Sequence, residues 1–103
     1  MHLRDCMGWV PIPARGKAPY RFVPFPTFEE FQLLYRAGAK KEWQYKMLKA
    51  RSDGAEMSEV AAAFGVTKQR VGYLERHFIR KMGAAYVSGL LPLEKGRRAN
   101  ENH

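Results

Sequence analysis

The sequence predicts a mainly α-helical fold of about four helices, with an irregular, hairpin-like N-terminal arm and a short C-terminal strand. Three observations support this prediction. Apolar residues recur every three or four positions between residues 27 and 83, which is the spacing of one helix face. Five of the six prolines lie within residues 1–26, where they exclude a helix. With 103 residues, the chain is long enough for one domain with a modest core.

Residues 1–26 form the proline-rich arm. Its prolines confine any strand to the edge of a sheet. Arg15-Gly16-Lys17 is typical of a turn between two extended segments, so we expect an irregular hairpin packed against the helices. The apolar residues expected to order this arm are Trp9, Val10, Ile12, Tyr20, Phe22, Val23 and Phe25.

The first helix is predicted to begin after Thr27. The sequence Thr27-Phe28-Glu29-Glu30 fits a capping box, in which Thr27 and Glu30 each accept a hydrogen bond from the other's backbone N–H. Gly38 marks the end of this segment. The residues expected to face the core at helical spacing are Phe28, Phe31, Leu34 and Tyr35.

A second helix is predicted from about Lys40 to Arg51. Asp53-Gly54 should end it, because glycine is favoured just past a helix terminus. The inward residues expected from its apolar spacing are Trp43, Met47 and either Leu48 or Ala50.

Residues 57–76 (MSEVAAAFGVTKQRVGYLER) carry the most specific pattern in the chain. Ala61 supplies the small residue needed where two short helices touch. Gly65 supplies the residue that tolerates a sharp turn, because a left-handed backbone costs little without a Cβ. The apolar positions predicted to be buried are Val60, Phe64, Val66, Val71 and Leu74. Together these features predict a helix-turn-helix, the motif that places its second helix in the major groove of double-stranded DNA.

The second helix of the motif should begin at Thr67, a good N-cap. The apolar spacing of Val71, Leu74, Phe78 and Met82 continues it for about four turns, and Gly83 is expected to stop it. These observations define a helical domain over residues 27–83.

Two segments are expected after that domain. The apolar run AAYVSGLL is interpreted as a short strand closed by Pro92, so residues 84–93 form a separate element. Residues 94–103 are polar and charged, and are predicted to be disordered.

The charge of the chain fits a polyanionic partner. Lys and Arg number 18 against 10 Asp and Glu, and the pI is about 9.9. Between residues 36 and 51 six basic residues accompany one acidic residue, and between residues 57 and 83 five accompany two. Such a field attracts DNA and is weakened by salt.

The candidate DNA contacts lie on the outward face of the second motif helix and among the outward lysines of the helix predicted from Lys40 to Arg51. The candidate base-contacting residues are Thr67, Lys68, Gln69, Arg70 and Tyr73. The candidate phosphate contacts are Lys40, Lys46, Lys49, Arg76 and Arg80. Gly72 lies on the same predicted face, where a missing side chain would let the helix approach the groove closely. His77 is expected to be a surface or phosphate-facing residue.

Other functional classes are not supported by the sequence. A single cysteine, Cys6, excludes an internal disulfide and indicates a reducing cytoplasm. His2, His77 and His103 are too dispersed for a metal site, and no catalytic set or phosphate-binding glycine loop is evident. We therefore expect no enzymatic activity, cofactor, metal or small-molecule ligand. No apolar segment is long enough for a signal peptide or a membrane span.

Two family resemblances emerge at these residues. The run EVAAAFGVTKQRVGYLERHFIRKM resembles promoter-binding region 4 of bacterial sigma factors. The wider chain, over roughly residues 27–93, resembles the TrfB/KorA type of plasmid-encoded transcriptional repressors more closely. TFEEFQLLYRAG resembles the first helix of that family, the segment from Lys40 to the Ser-Asp-Gly turn resembles its second, and AAYVSGLLP resembles its strand. The first 26 residues have no counterpart in that family, and the C-terminal element is shorter.

The second resemblance implies a repressor that binds a palindromic operator as a homodimer. Two copies joined together would match half-sites about 34 Å apart, or a multiple of that distance. In that family the strand begins the dimerisation element, which implies the dimerisation candidates Tyr86, Val87, Leu90 and Leu91. The alternatives are a sigma-like module that contacts RNA polymerase and a protein-interaction adaptor built on the same fold. The N-terminal arm could also enter the minor groove of DNA, as homeodomain arms do.

Overall fold

A computed structural model describes residues 3–12 and 21–91. The described residues form two 3₁₀ turns, two strands and four α-helices. The elements are a 3₁₀ turn at Leu3–Cys6, β1 at Trp9–Ile12, β2 at Arg21–Pro24, α1 at Phe28–Tyr35, a 3₁₀ turn at Gly38–Lys41, α2 at Glu42–Ser52, α3 at Met57–Phe64 and α4 at Lys68–Ser88. The predicted mainly α fold of four helices with an N-terminal arm is confirmed.

The N-terminal arm is an antiparallel hairpin whose inner face belongs to the core. Trp9 lies opposite Pro24, and Ile12 lies opposite Arg21. The hairpin is fixed to α2 by a hydrogen bond from the Gly8 N–H to the Ser52 carbonyl, 2.7 Å long. Buried apolar side chains of the arm include Leu3, Val10, Ile12 and Val23. The expected hairpin is confirmed, whereas the expected turn at Arg15-Gly16-Lys17 and the predicted ordering of Tyr20 lie outside the described residues.

Helix α1 begins as predicted. The Thr27 hydroxyl accepts a hydrogen bond from the Glu30 N–H at 3.1 Å, and the Glu30 carboxylate accepts one from the Thr27 N–H at 2.9 Å. Phe31 and Leu34 are buried, while Phe28 and Tyr35 pack partly buried against the core. The capping box and the inward face of α1 are therefore confirmed.

Helix α2 differs from its prediction at its start and on one face. It begins at Glu42, because Gly38–Lys41 forms a 3₁₀ turn instead of the first α-helical turn. The prediction that Trp43 faces inward is wrong, since Trp43 is exposed and Gln44 is buried beside Met47 and Leu48. Apolar spacing missed this register because the inward face of α2 also contains polar residues. The predicted stop at Asp53-Gly54 is confirmed.

The helix-turn-helix pattern is confirmed by the backbone. Helix α3 spans Met57–Phe64 and ends at Gly65, which has a left-handed φ of 69°. The side chain of Thr67 caps α4 by accepting a hydrogen bond from the Arg70 N–H at 3.0 Å. Of the predicted core positions, Val60, Ala61, Val71 and Leu74 are buried, and Phe64 and Val66 are partly buried.

The predicted C-terminal strand is wrong. Helix α4 passes through Gly83 and ends at Ser88, with Gly89 as its left-handed cap. Ala85 is buried and continues the inward spacing set by Phe78 and Met82, so the helix gains from packing more than Gly83 costs. A short apolar run does not by itself distinguish a strand from a buried helical segment. The predicted disordered tail, residues 94–103, lies outside the described residues.

No helix within the described ranges has both the length and the apolar character needed to span a membrane.

Candidate nucleic-acid interface

One face of α4 is directed outward because the opposite face is buried. The inward apolar residues are Val71, Leu74, Phe78, Met82 and Ala85. Gln69, Tyr73, Arg76 and Arg80 recur at spacings of four, three and four, and all are exposed. Three of these side chains can donate hydrogen bonds from amide or guanidinium groups, and Tyr73 adds an aromatic ring. The structure therefore brings two predicted base contacts and two predicted phosphate contacts onto one surface.

A buried ion pair fixes the position of α4 relative to α2. Arg51 donates hydrogen bonds from Nε and Nη2 to the Glu75 carboxylate, and both side chains are almost completely buried. Arg51 Nη1 also donates to the Ala55 carbonyl in the turn before α3, at 2.8 Å. Arg51 is one of the six basic residues between positions 36 and 51, but its charge is neutralised in the interior. It therefore does not contribute to the exposed positive charge.

The first turn of α4 presents three adjacent predicted contacts to solvent. Lys68, Gln69 and Arg70 are all exposed. The Thr67 hydroxyl accepts the capping hydrogen bond from the Arg70 N–H, so it also has a structural role at this helix end. The exposed first turn of α4 therefore offers an ammonium, an amide and a guanidinium group side by side.

An open cleft lies between the start of α3 and the outward face of α4. It is lined by Glu56, Met57, Ser58, Lys68, Gln69, Gly72 and Arg76. A Cβ built on Gly72 would lie 3.4 Å from Arg76 Nη1 and 3.9 Å from Met57 Cε. Gly72 thus lies on the side of α4 that faces α3, and its missing side chain keeps the cleft open. On the other side of the cleft, Glu56 pairs with Arg4 at 2.9 Å.

A series of aromatic rings and cations runs along α4 on the side away from this cleft, towards α1. The Arg70 guanidinium lies 5.6 Å from the centre of the Tyr73 ring, which stacks on His77 at 6.0 Å. The His77 ring lies 5.9 Å from the Tyr35 ring. Lys41 and Lys81 place their Nζ atoms 5.3 Å and 5.6 Å from the centre of the Tyr35 ring.

Sequence patterns alone did not assign a binding role to Tyr35, Lys41 or Lys81. The spacing of four between Tyr73, His77 and Lys81 was the available signal, since residues four apart are neighbours on a helix surface. The contacts that α4 makes with Tyr35 of α1, and that Lys41 of the turn before α2 makes with the same ring, could not be predicted from the sequence. Burial and the positive charges of Lys81, Arg80 and Lys41 lower the pKa of His77 below its usual 6.5.

The lysines of α2 have carboxylate partners next to them. Lys46 pairs with Glu42 and Lys49 pairs with Asp53, each at 3.5 Å. Lys49 also lies over the Phe25 ring, 5.7 Å from its centre. Lys40 is exposed in the 3₁₀ turn before α2. The field expected from this segment is therefore partly neutralised by neighbouring acidic groups.

The dimerisation candidates divide into two groups. Val87 and Leu90 are exposed, with 77% and 48% of their surface accessible. Leu91 is buried against the core, and Tyr86 is partly buried. Burial, with a smaller effect of the Glu30 carboxylate, raises the pKa of the Tyr86 hydroxyl. Leu91 is therefore unsuited to a contact between two copies of the chain, because it already packs within one.

No group of three or more His, Cys, Asp or Glu side chains in the described ranges is arranged to hold a metal ion. Comparison of the chain with protein-family models, curated proteins and solved structures finds no significant match.

Proposed function

We propose that this protein is a sequence-specific transcriptional repressor that inserts the N-terminal half of α4 into the major groove of operator DNA. The observation that carries the proposal is the exposed face of α4, where Gln69, Tyr73, Arg76 and Arg80 align behind a helix-turn-helix with a capped start. The net charge of +8 supports an anionic partner. The proposal includes a cytoplasmic location for the protein, where it would have access to DNA.

The chemistry of these side chains suits direct recognition of bases. Gln69 can form two hydrogen bonds with adenine, and Lys68 can donate to guanine O6 and N7. Tyr73 can contact a thymine methyl group, and its ring lies near the side chains of Arg70 and His77. A good bidentate contact provides about 1–3 kcal/mol of discrimination between bases. Arg76 and Arg80, further along the same face, would contact the phosphates and fix the register.

Dimerisation and repression are the further parts of the proposal. A single recognition helix contacts only a few base pairs, so two copies on a palindrome would provide the selectivity that one lacks. Val87 near the end of α4 and Leu90 just after it are exposed apolar side chains suited to such a contact. A dimer bound across a promoter would repress by excluding the polymerase, as the resemblance to TrfB/KorA-type repressors implies.

The proposal is tested by selecting sequences from a random duplex library with the purified protein. An enriched inverted repeat is the expected result. Gln69→Ala and Tyr73→Ala should lose the preference at defined positions of that repeat, whereas Gln32→Ala on α1 serves as the matched control. An enriched single half-site would favour the sigma-like module. Binding without enrichment, fading as salt rises, would contradict sequence-specific repression and favour the adaptor.

A further inference from the structure

Four side chains from three elements converge beside the C-terminal half of α4. Tyr35 comes from α1, Lys41 from the 3₁₀ turn before α2, and His77 and Lys81 from α4. We call these residues the Tyr35 cluster. Both ammonium groups lie within 5.6 Å of the centre of the Tyr35 ring, and the imidazole lies 5.9 Å from it. The cluster is the continuation of the series of aromatic rings and cations that begins with Arg70 and Tyr73, so it is connected to the proposed base-contacting end of α4.

The charges of the Tyr35 cluster are not balanced within the part of the chain that the structure describes. Lys41 donates a 3.5 Å hydrogen bond to the neutral Gln44 amide oxygen, and neither cluster lysine forms an ion pair there. In contrast, the exposed lysines Lys46 and Lys49 each pair with a carboxylate. Positive charges that converge without a carboxylate are suited to an external anion.

The groups that face His77 are aromatic or cationic. On its own helix these are Tyr73, Arg80 and Lys81, and from the neighbouring elements they are Tyr35 and Lys41. All three cations disfavour the protonated imidazole. An anion placed among them would relieve this repulsion.

We propose that the Tyr35 cluster binds a backbone phosphate of the DNA outside the base pairs that Gln69 and Tyr73 contact. The proposal rests on the proposed function and extends it to a second contact. Lys81 follows Gln69 by twelve residues in one continuous helix, which separates them by roughly 18 Å along the axis. A separation of this length along the DNA axis spans roughly five base-pair steps of about 3.4 Å each. The second contact therefore requires duplex beyond the recognised bases.

The test compares Lys41→Gln/Lys81→Gln with the wild-type protein on two duplexes, one limited to the enriched sequence and one extended at both ends. On the extended duplex the double variant should bind about tenfold more weakly, the effect of removing one or two charge-assisted hydrogen bonds. The salt dependence of its binding should also decrease, by roughly one unit of slope for each phosphate that the variant no longer binds. On the short duplex the two proteins should bind alike.

Arg76→Ala is the matched control, because Arg76 lies beside the proposed base contacts. It should weaken binding to the same extent on both duplexes. Equal affinity of the double variant and the wild type on the extended duplex would overturn the inference, as would an equal decrease on both. Failure of the wild type to bind DNA at all would instead contradict the proposed function, so the two failures are distinguishable. Far-ultraviolet circular dichroism establishes that the variants are folded.

Discussion

At the scale of single residues, the Arg51–Glu75 pair shows how strongly one buried contact can constrain the outward face of α4. Two charges are removed from water, which is unfavourable unless each retains its partner. The carboxylate of Glu75 receives two guanidinium hydrogen bonds, and the third donor of Arg51 reaches the turn before α3. The pair therefore fixes the rotation of α4 about its own axis.

Removal of one partner should therefore be costly. Arg51→Met leaves the Glu75 carboxylate buried without its counter-ion, so we expect the free energy of unfolding to fall by about 3–5 kcal/mol. Arg51→Met/Glu75→Leu removes both charges and should recover most of that stability. Urea denaturation measures both values. A decrease below about 1 kcal/mol in the single variant would show that the pair is more hydrated than its burial indicates.

A pH effect follows from His77. Its pKa is lower in the folded protein than its usual 6.5, because burial and neighbouring cations disfavour the protonated ring. Between these two pKa values the unfolded chain binds more protons, so stability is complete above pH 6.5 and falls as the pH decreases through the folded pKa. His77→Gln should flatten this part of the curve, measured by urea denaturation between about pH 5 and pH 8. An unchanged slope would contradict the assignment.

At the scale of elements, α4 shows both the strength and the limit of sequence patterns. Its start was predictable because Thr67 is a capping residue and Val71, Leu74 and Phe78 have helical spacing. Its end was not, because glycine commonly terminates helices and the run after Gly83 is apolar. Packing of Ala85 against the core decides the outcome, and such packing depends on residues distant in sequence.

Helix α2 shows the same limit on its inward face. The prediction for Trp43 failed because Gln44 and Arg51 occupy positions that apolar spacing assigns to hydrophobic residues. Arg51 can be buried there only because Glu75 meets it from α4, a contact between residues 24 positions apart. Patterns read along one helix cannot indicate such a partner.

A substitution at Gly72 should change the stability of the fold and the proposed DNA binding in opposite directions, so the two effects can be measured separately. It is an interior residue of α4, where alanine is favoured over glycine by roughly 0.5–1 kcal/mol. The added methyl would meet the flexible end of Arg76 at 3.4 Å. Gly72→Ala should therefore raise the unfolding free energy while weakening binding to the enriched duplex. Unchanged affinity would show that the cleft beside Gly72 does not receive DNA.

At the scale of the whole molecule, the arm and the helical domain form one unit. The arm supplies buried side chains, and the Gly8–Ser52 hydrogen bond ties it to the end of α2. Its prolines and the Arg15-Gly16-Lys17 sequence made a hairpin predictable. The close packing of the first 3₁₀ turn against α2 was not predictable. The candidate site was also predictable only in part. The outward face of α4 follows from the helical periodicity of its sequence, whereas the Tyr35 cluster depends on three elements that meet in the folded chain.

Leu3 provides a test of this integration. Its side chain is fully buried although it lies near the N-terminus. Leu3→Ala should lower the free energy of unfolding by about 2–5 kcal/mol, as expected for a leucine removed from a core. Met7→Ala is the matched control, because Met7 is exposed in the same arm. Thermal unfolding followed by circular dichroism measures both, and equal stability of the two variants would mean that the arm is only loosely attached.

The continuity of α4 has a consequence for the spacing of DNA sites. Its 21 residues place the proposed base contacts at one end and the exposed Val87 near the other, without a flexible linker between them. Each residue of an α-helix contributes about 1.5 Å and about 100° of rotation. One residue inserted between the two ends would therefore rotate the proposed base contacts by about 100° relative to Val87, whereas a flexible linker would absorb this change. If two copies of the protein join near Val87, the continuous helix fixes the distance and the angle between their proposed base contacts. The dimer should then bind only operators with one fixed separation of half-sites.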